Sequence, residues 1–101
     1  MPSIDELNES QAFLRVLLTL YTVKRPLNQQ ELLKEIQTAH KIGQFSIKTA
    51  TTKGINLGLI EKESRKIGNN PMPSLMHSLT EKGTKIAELL SEINKILQEK
   101  P

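Results

Sequence analysis

The chain has 101 residues, a formal charge of +3 and a pI near 9.3, with 37% hydrophobic residues, 3% aromatic residues and no cysteine. This is enough apolar material for one small core. The absence of cysteine excludes disulfides, thiolate zinc sites and thiol nucleophiles.

In chain order, Ser3 and Glu6 have capping-box spacing and open a helix expected from Ile4 to Val23. Phe13, Val16, Leu17 and Leu20 form one apolar face of it. Ile4, Leu7, Leu14, Leu18 and Tyr21 form a second. A helix apolar on two sides must be covered on both, and the second face is the first sign of a partner subunit. Pro26 disfavours helical geometry at Arg25 and ends the helix, leaving room for one short strand. Asn28 and Glu31 form a second capping box, opening a helix from Gln29 to about Ala39 that buries Leu32, Leu33, Ile36 and Ala39. A turn around Gly43 follows.

The stretch Phe45–Leu57 repeats Ile47, Ala50, Gly54 and Leu57 at helical spacing, with Ser46 as the expected cap and Phe45 as an expected core residue. Its other face carries Lys48, Thr49, Thr52, Lys53 and Asn56, with Thr51 able to face either way. Three threonines in four positions lower helix propensity without a packing return, which points to contact work. Gly58 closes the helix. Leu59–Ile67 and Ser74–Leu79 read as a hairpin around the turn-rich Gly68-Asn69-Asn70-Pro71-Met72-Pro73, with Leu75, His77 and Leu79 expected inward. Thr80 caps a last helix running to about Gln98, roughly 28 Å long at ~1.5 Å per residue. Ile86, Leu89, Leu90, Ile93, Ile96 and Leu97 line one side of it, several turns further than so small a core can cover. Gly83 in its first turn implies close approach of another backbone.

Charge is uneven along the chain. Residues 1–39 hold four basic and five acidic side chains, and residues 81–101 hold four of each. Residues 40–80 hold six basic side chains (Lys41, Lys48, Lys53, Lys62, Arg65, Lys66) against Glu61 and Glu63, a net of +4. The positive excess thus falls on two helices' junction, the second of those helices and the hairpin. Helix, tight turn, helix and two-stranded ribbon, in that order, describe a winged helix-turn-helix: α+β, mostly α, with a two-stranded wing and a long C-terminal helix. The reading gives one domain: first helix within residues 1–23, helix-turn-helix at 28–57, wing at 59–79 and C-terminal helix at 80–99.

Two junctions carry a family resemblance. Asn56-Leu57-Gly58-Leu59-Ile60-Glu61-Lys62 resembles the L-x-x-G-L-I end of the recognition helix in winged-helix regulators. Leu79-Thr80-Glu81-Lys82-Gly83 resembles the segment that follows the wing in MarR-type, PadR-type and related small archaeal winged-helix proteins. The resemblance spans residues 8–90 and implies a dimeric DNA-binding regulator joined through its terminal helices.

The expected partners are therefore double-stranded DNA and a second copy of the chain. Lys48, Thr49, Thr52, Lys53 and Asn56 are the candidate groove contacts, because lysine donates to guanine O6/N7 and threonine pairs either way with base edges. Lys62, Arg65 and Lys66 on the wing suit phosphates, as do Lys41 and Ser46 near the helix start. Leu7, Leu14, Leu18, Tyr21, Leu89, Leu90, Ile93, Ile96 and Leu97 are the candidate dimer contacts. A DNA-coating architectural role and a protein-interaction module are the alternatives. No phosphate-binding loop, nucleophile elbow or metal-ligand spacing is found, so neither enzyme chemistry nor a cofactor, metal or small ligand is expected. His77 is expected to be structural. An acidic start and the lack of a membrane-length apolar run lead to the expectation of a cytoplasmic, nucleoid-associated protein with no membrane contact.

Overall fold

The computed structural model describes residues 11–66, 68 and 73–99. The elements run α1 (Gln11–Val23), β1 (Leu27–Asn28), α2 (Gln29–Ala39), α3 (Gln44–Asn56), β2 (Ile60–Arg65), β3 (Ser74–Leu79) and α4 (Glu81–Gln98). The expected start of the first helix at Ile4, with its Ser3 cap, lies outside the described residues.

Helix α1 is the centre of the core. Ala12, Phe13, Val16, Leu17 and Leu20 are buried on one side of it, at the three- and four-residue spacing of a helical stripe. Its end is set by Lys24, which takes a left-handed φ of 59° and donates its amide to the Leu20 carbonyl at 3.2 Å. The chain then extends through Pro26 into β1. Asn28 closes the anticipated capping box: its side chain accepts from the Glu31 amide at 2.8 Å, and its own amide donates to Glu31 Oε1 at 3.1 Å. Helix α2 buries Leu32 and Ile36 and packs Leu33 against the core, but its last residue, Ala39, is exposed.

The turn into α3 differs from the sequence expectation in two linked ways. The cap is Gly43 rather than Ser46, and the helix begins at Gln44. Phe45 is not in the core; it is 82% exposed. The physical reason is that Ile42 packs against the core in its place, with its carbonyl held by Gln37 Nε2 at 2.9 Å. The turn is thereby shortened and Phe45 falls opposite the buried line of Ile47, Ala50, Thr51 and Gly54. Thr51 faces inward and satisfies its hydroxyl on the Ile47 carbonyl at 2.9 Å.

Gly58 ends α3 at φ +76°, with Leu59 N–H bonded to Gly54 O and Gly58 N–H to Ile55 O, the paired bonds of a Schellman cap. A side chain at Gly54 would collide with Ile60, so α3 seats directly on the start of β2. The sheet is three-stranded in the order β1-β3-β2, both pairings antiparallel. Register runs from Ile60 opposite Leu79 to Arg65 opposite Ser74. The wing is thus anchored by a third short strand. Ile67 and residues 69–72 of the expected hairpin tip lie outside the described residues.

Leu75 was expected inward, yet it is 52% exposed, and Met76 is buried beside His77. Strand β1 flanks β3 only at Met76 and His77, so the sheet projects from the body beyond them. Thr80 locks the exit of the wing: its hydroxyl donates to Gly58 O at 2.6 Å and accepts from Gly83 N at 3.0 Å, while its amide reaches Leu59 O at 3.0 Å. Gly83 has the close approach its position implied, because a Cβ there would fall on the Leu59 carbonyl oxygen.

Candidate nucleic-acid interface

Helix α3 packs one side against α1 and Ile60 and turns the other outward. Ser46, Lys48, Thr49, Thr52 and Asn56 are all exposed on it. Phe45, Thr49, Thr52 and Asn56 stand at i, i+4, i+7 and i+11, a single stripe, with Lys48 at its flank. The Thr52 hydroxyl donates back to the Lys48 carbonyl at 3.1 Å. That bond uses its proton, so the hydroxyl is left to act as an acceptor.

Lys53 behaves differently from the other residues assigned to the groove. It is half-buried, with Nζ 5.7 Å from the centre of the Phe13 ring on α1. A cation over an aromatic face is held there by the ring quadrupole. Lys53 therefore contributes positive potential at the side of the stripe.

The wing supplies exposed Lys62, Arg65 and Lys66 from β2 and the residue after it, and the turn supplies exposed Lys41. Arg65 Nη2 lies 3.4 Å from Glu63 Oε2, with both side chains open to solvent. Such a pair contributes little and is easily exchanged for another anion. Every residue of β2 after Ile60 is exposed, so the wing's cations project freely from the body.

His77 is the one buried titratable group with a perturbed proton affinity among the described residues. Burial lowers its pKa below the ordinary value of 6.5; the bond to the Leu27 backbone opposes this, and the charge of Lys62 adds to it. Nδ1 donates to the Leu27 carbonyl at 3.2 Å, since a carbonyl can only accept. The imidazole thus ties β1 to β3 in the manner of a structural residue. No group of three or more His, Asp or Glu suited to a metal ion occurs among the described residues.

The candidate dimer residues divide into two groups. Leu90 and Tyr21 are half-buried and pack against the core, while Leu14 and Leu18 are half-buried on the outer side of α1. Leu89, Ile93, Ile96 and Leu97 are exposed, Leu97 at 77%. Leu7 lies outside the described residues. A cleft of about 460 Å³ between α1, β3 and α4 is lined by residues such as Tyr21, Lys24, Arg25 and Thr84, none of them from α3 or β2.

Helix-turn-helix, two-stranded wing with its anchoring third strand, and C-terminal helix now stand together. The chain is a winged helix. Solved structures agree. AF1382 from Archaeoglobus fulgidus superposes with a TM-score of 0.71 at 19% identity, over 97% of this chain and 100% of that one. The transcriptional repressor BigR from Xylella fastidiosa gives 0.67 at 19% identity, over 97% and 85%. A PadR family transcription regulator from Clostridium difficile R20291 gives 0.71 at 13% identity, over 85% and 91%. No protein-family model matches the sequence, and no curated protein does. No helix among the described residues is long and apolar enough to cross a membrane.

The feature missed by sequence reasoning is the exposure of Phe45. The signal was present: the periodicity of Ile47, Ala50 and Gly54 already sets position 45 on the opposite side of the helix.

Proposed function

We propose that this chain is a double-stranded-DNA-binding transcription regulator that acts as a homodimer. The observation that carries the reading is the water-open side of α3, where Lys48, Thr49, Thr52 and Asn56 line a helix whose own core contacts are complete without them. A helix of this width fits the major groove, and its side chains meet base edges there. Lys62, Arg65, Lys66 and Lys41 neutralise flanking phosphates, and Ser46 sits near enough to the helix start to join them. Phosphate contacts fix register; the α3 side chains supply sequence preference.

Dimerisation rests on the outer residues of α4 and α1. Leu89, Ile93, Ile96 and Leu97 expose a contiguous apolar edge that a monomer leaves wet. Packing it against its counterpart, with Leu14 and Leu18 at the margin, presents two recognition helices to successive major grooves about 34 Å apart. Regulation then follows from occupancy of a site, with no catalytic step. The structural neighbours that bear transcription-regulator names support this assignment.

The deciding experiment is selection of bound duplexes from a random library, followed by footprinting and light-scattering mass. A dimer protecting a two-half-site sequence, with clear discrimination against competitor DNA, is the expected result. Stepwise coverage of any duplex at equal affinity would make the protein an architectural one. A monomer that shifts no DNA at low salt would make it a protein-interaction module.

A further inference from the structure

We infer that Phe45 reads the 5-methyl group of thymine in the major groove. The inference rests on the DNA-binding reading above and adds to it a base and a side chain. Phe45 is the most exposed large hydrophobic residue described, at 82%, and the second residue of α3. Among the described residues it is not one of the hydrophobics packed against the core, and Gln44, Ser46, Lys48 and Thr49, its neighbours along the helix, are exposed. The apolar edge formed by α4 belongs to other residues and another element. Phe45 therefore contributes nothing to the core and is separate from the surface assigned to the dimer.

What it does share is the stripe of Thr49, Thr52 and Asn56. Recognition helices meet base edges chiefly through their N-terminal residues, and Phe45 occupies that end. The preceding cap is Gly43, where a Cβ would meet nothing within 4 Å beyond its chain neighbours, so the backbone is open at this end of α3. Among the base edges exposed in the major groove, thymine carries an apolar group, and phenylalanine is one of the side chains that contact it. The ring loses water on docking against that methyl, whereas it is hydrated in the free protein. The chemistry also selects deoxyribonucleic acid, since unmodified RNA carries uracil in place of thymine.

The probe is the duplex recovered by in vitro selection, with each thymine replaced in turn by 2′-deoxyuridine. This removes one methyl and leaves every hydrogen-bonding group in place. The wild-type protein is expected to lose roughly three- to five-fold in affinity at one or two positions, the worth of one buried methyl. Phe45→Ala should bind the parent duplex more weakly by a comparable factor and be indifferent to uracil at those positions. Thr49→Ser and Thr52→Ser, which remove the other methyls of the stripe, should keep the sensitivity. Because Phe45 is exposed, the alanine variant should melt with the wild type, which circular dichroism verifies. A wild type that binds tightly but ignores every uracil overturns the inference and leaves the DNA reading standing. So does sensitivity that survives Phe45→Ala or disappears in a threonine variant instead. A protein that selects no duplex and binds none at low salt overturns the DNA reading and the inference together.

Discussion

Binding to duplex DNA should depend steeply on salt, and the structure sets the slope. In the proposed DNA complex four exposed cations are assigned to phosphates: Lys41 in the turn, and Lys62, Arg65 and Lys66 on the wing. Each neutralised phosphate releases condensed counterions and contributes about −0.9 to the slope of log K against log salt. A dimer making about eight such contacts gives a slope near −7, and a loss of about four decades of affinity between 50 and 200 mM salt. Arg65→Ala removes one contact from each protomer and should flatten the slope to about −5. The present partner of Arg65 does not prevent this, because Glu63 lies 3.4 Å away and both side chains are solvent-exposed. The loss should be equal on selected and random duplexes. Lys48→Ala provides the contrast: as a base contact it should cost about 1–3 kcal/mol on the selected duplex and much less on random DNA. Fluorescence anisotropy titrations from 50 to 400 mM KCl read both quantities. A wild-type slope shallower than about −2, or one that Arg65→Ala leaves unchanged, would refute the phosphate assignment.

Three further outcomes follow from the packing. Gly83→Ala should destabilise the fold by about 1–3 kcal/mol, because overpacking against the Leu59 carbonyl exceeds the ~1 kcal/mol that alanine returns to a helix; a urea midpoint at or above that of the wild type would refute the close approach. His77, whose folded-state pKa lies below 6.5, should make stability pH-dependent. The unfolded chain binds the proton first, so the contribution is complete above about 6.5 and is lost as pH falls from there through the folded-state value; urea denaturation between pH 5 and 8 measures this, and His77→Gln should flatten that part of the profile. Leu89→Glu combined with Ile96→Glu places charge on the exposed edge of α4 and should yield a monomer by light scattering that binds a two-half-site duplex at least tenfold more weakly; a dimer of unchanged mass would move the interface elsewhere.

Local chemistry settled most of the architecture. The Asn28–Glu31 capping box, the Gly58 helix stop and the Thr80 cap are each decided by a few neighbouring residues, and each is found in its expected place. These signals survive because a cap or a left-handed turn is satisfied within one turn of chain. Element order, and with it the winged helix, followed from them. The polar stripe Lys48, Thr49, Thr52 and Asn56 was legible for the same reason, since helical periodicity fixes which residues share a side.

Competition for space settled the rest. Ile42 and Phe45 are both apolar and three residues apart; the helical phase of Ile47, Ala50 and Gly54 turns position 45 outward, but that Ile42, in the turn, packs against the core is decided only in the folded chain. Nothing near Lys53 in sequence announces that the ring of Phe13, forty positions away, comes within 5.7 Å of its Nζ. Leu75 follows the alternation of an inward strand face, but β1 is too short to shelter it. In each case the side chain's own chemistry permits two environments, and the choice between them is made by residues remote in sequence that the chain brings alongside only when it folds.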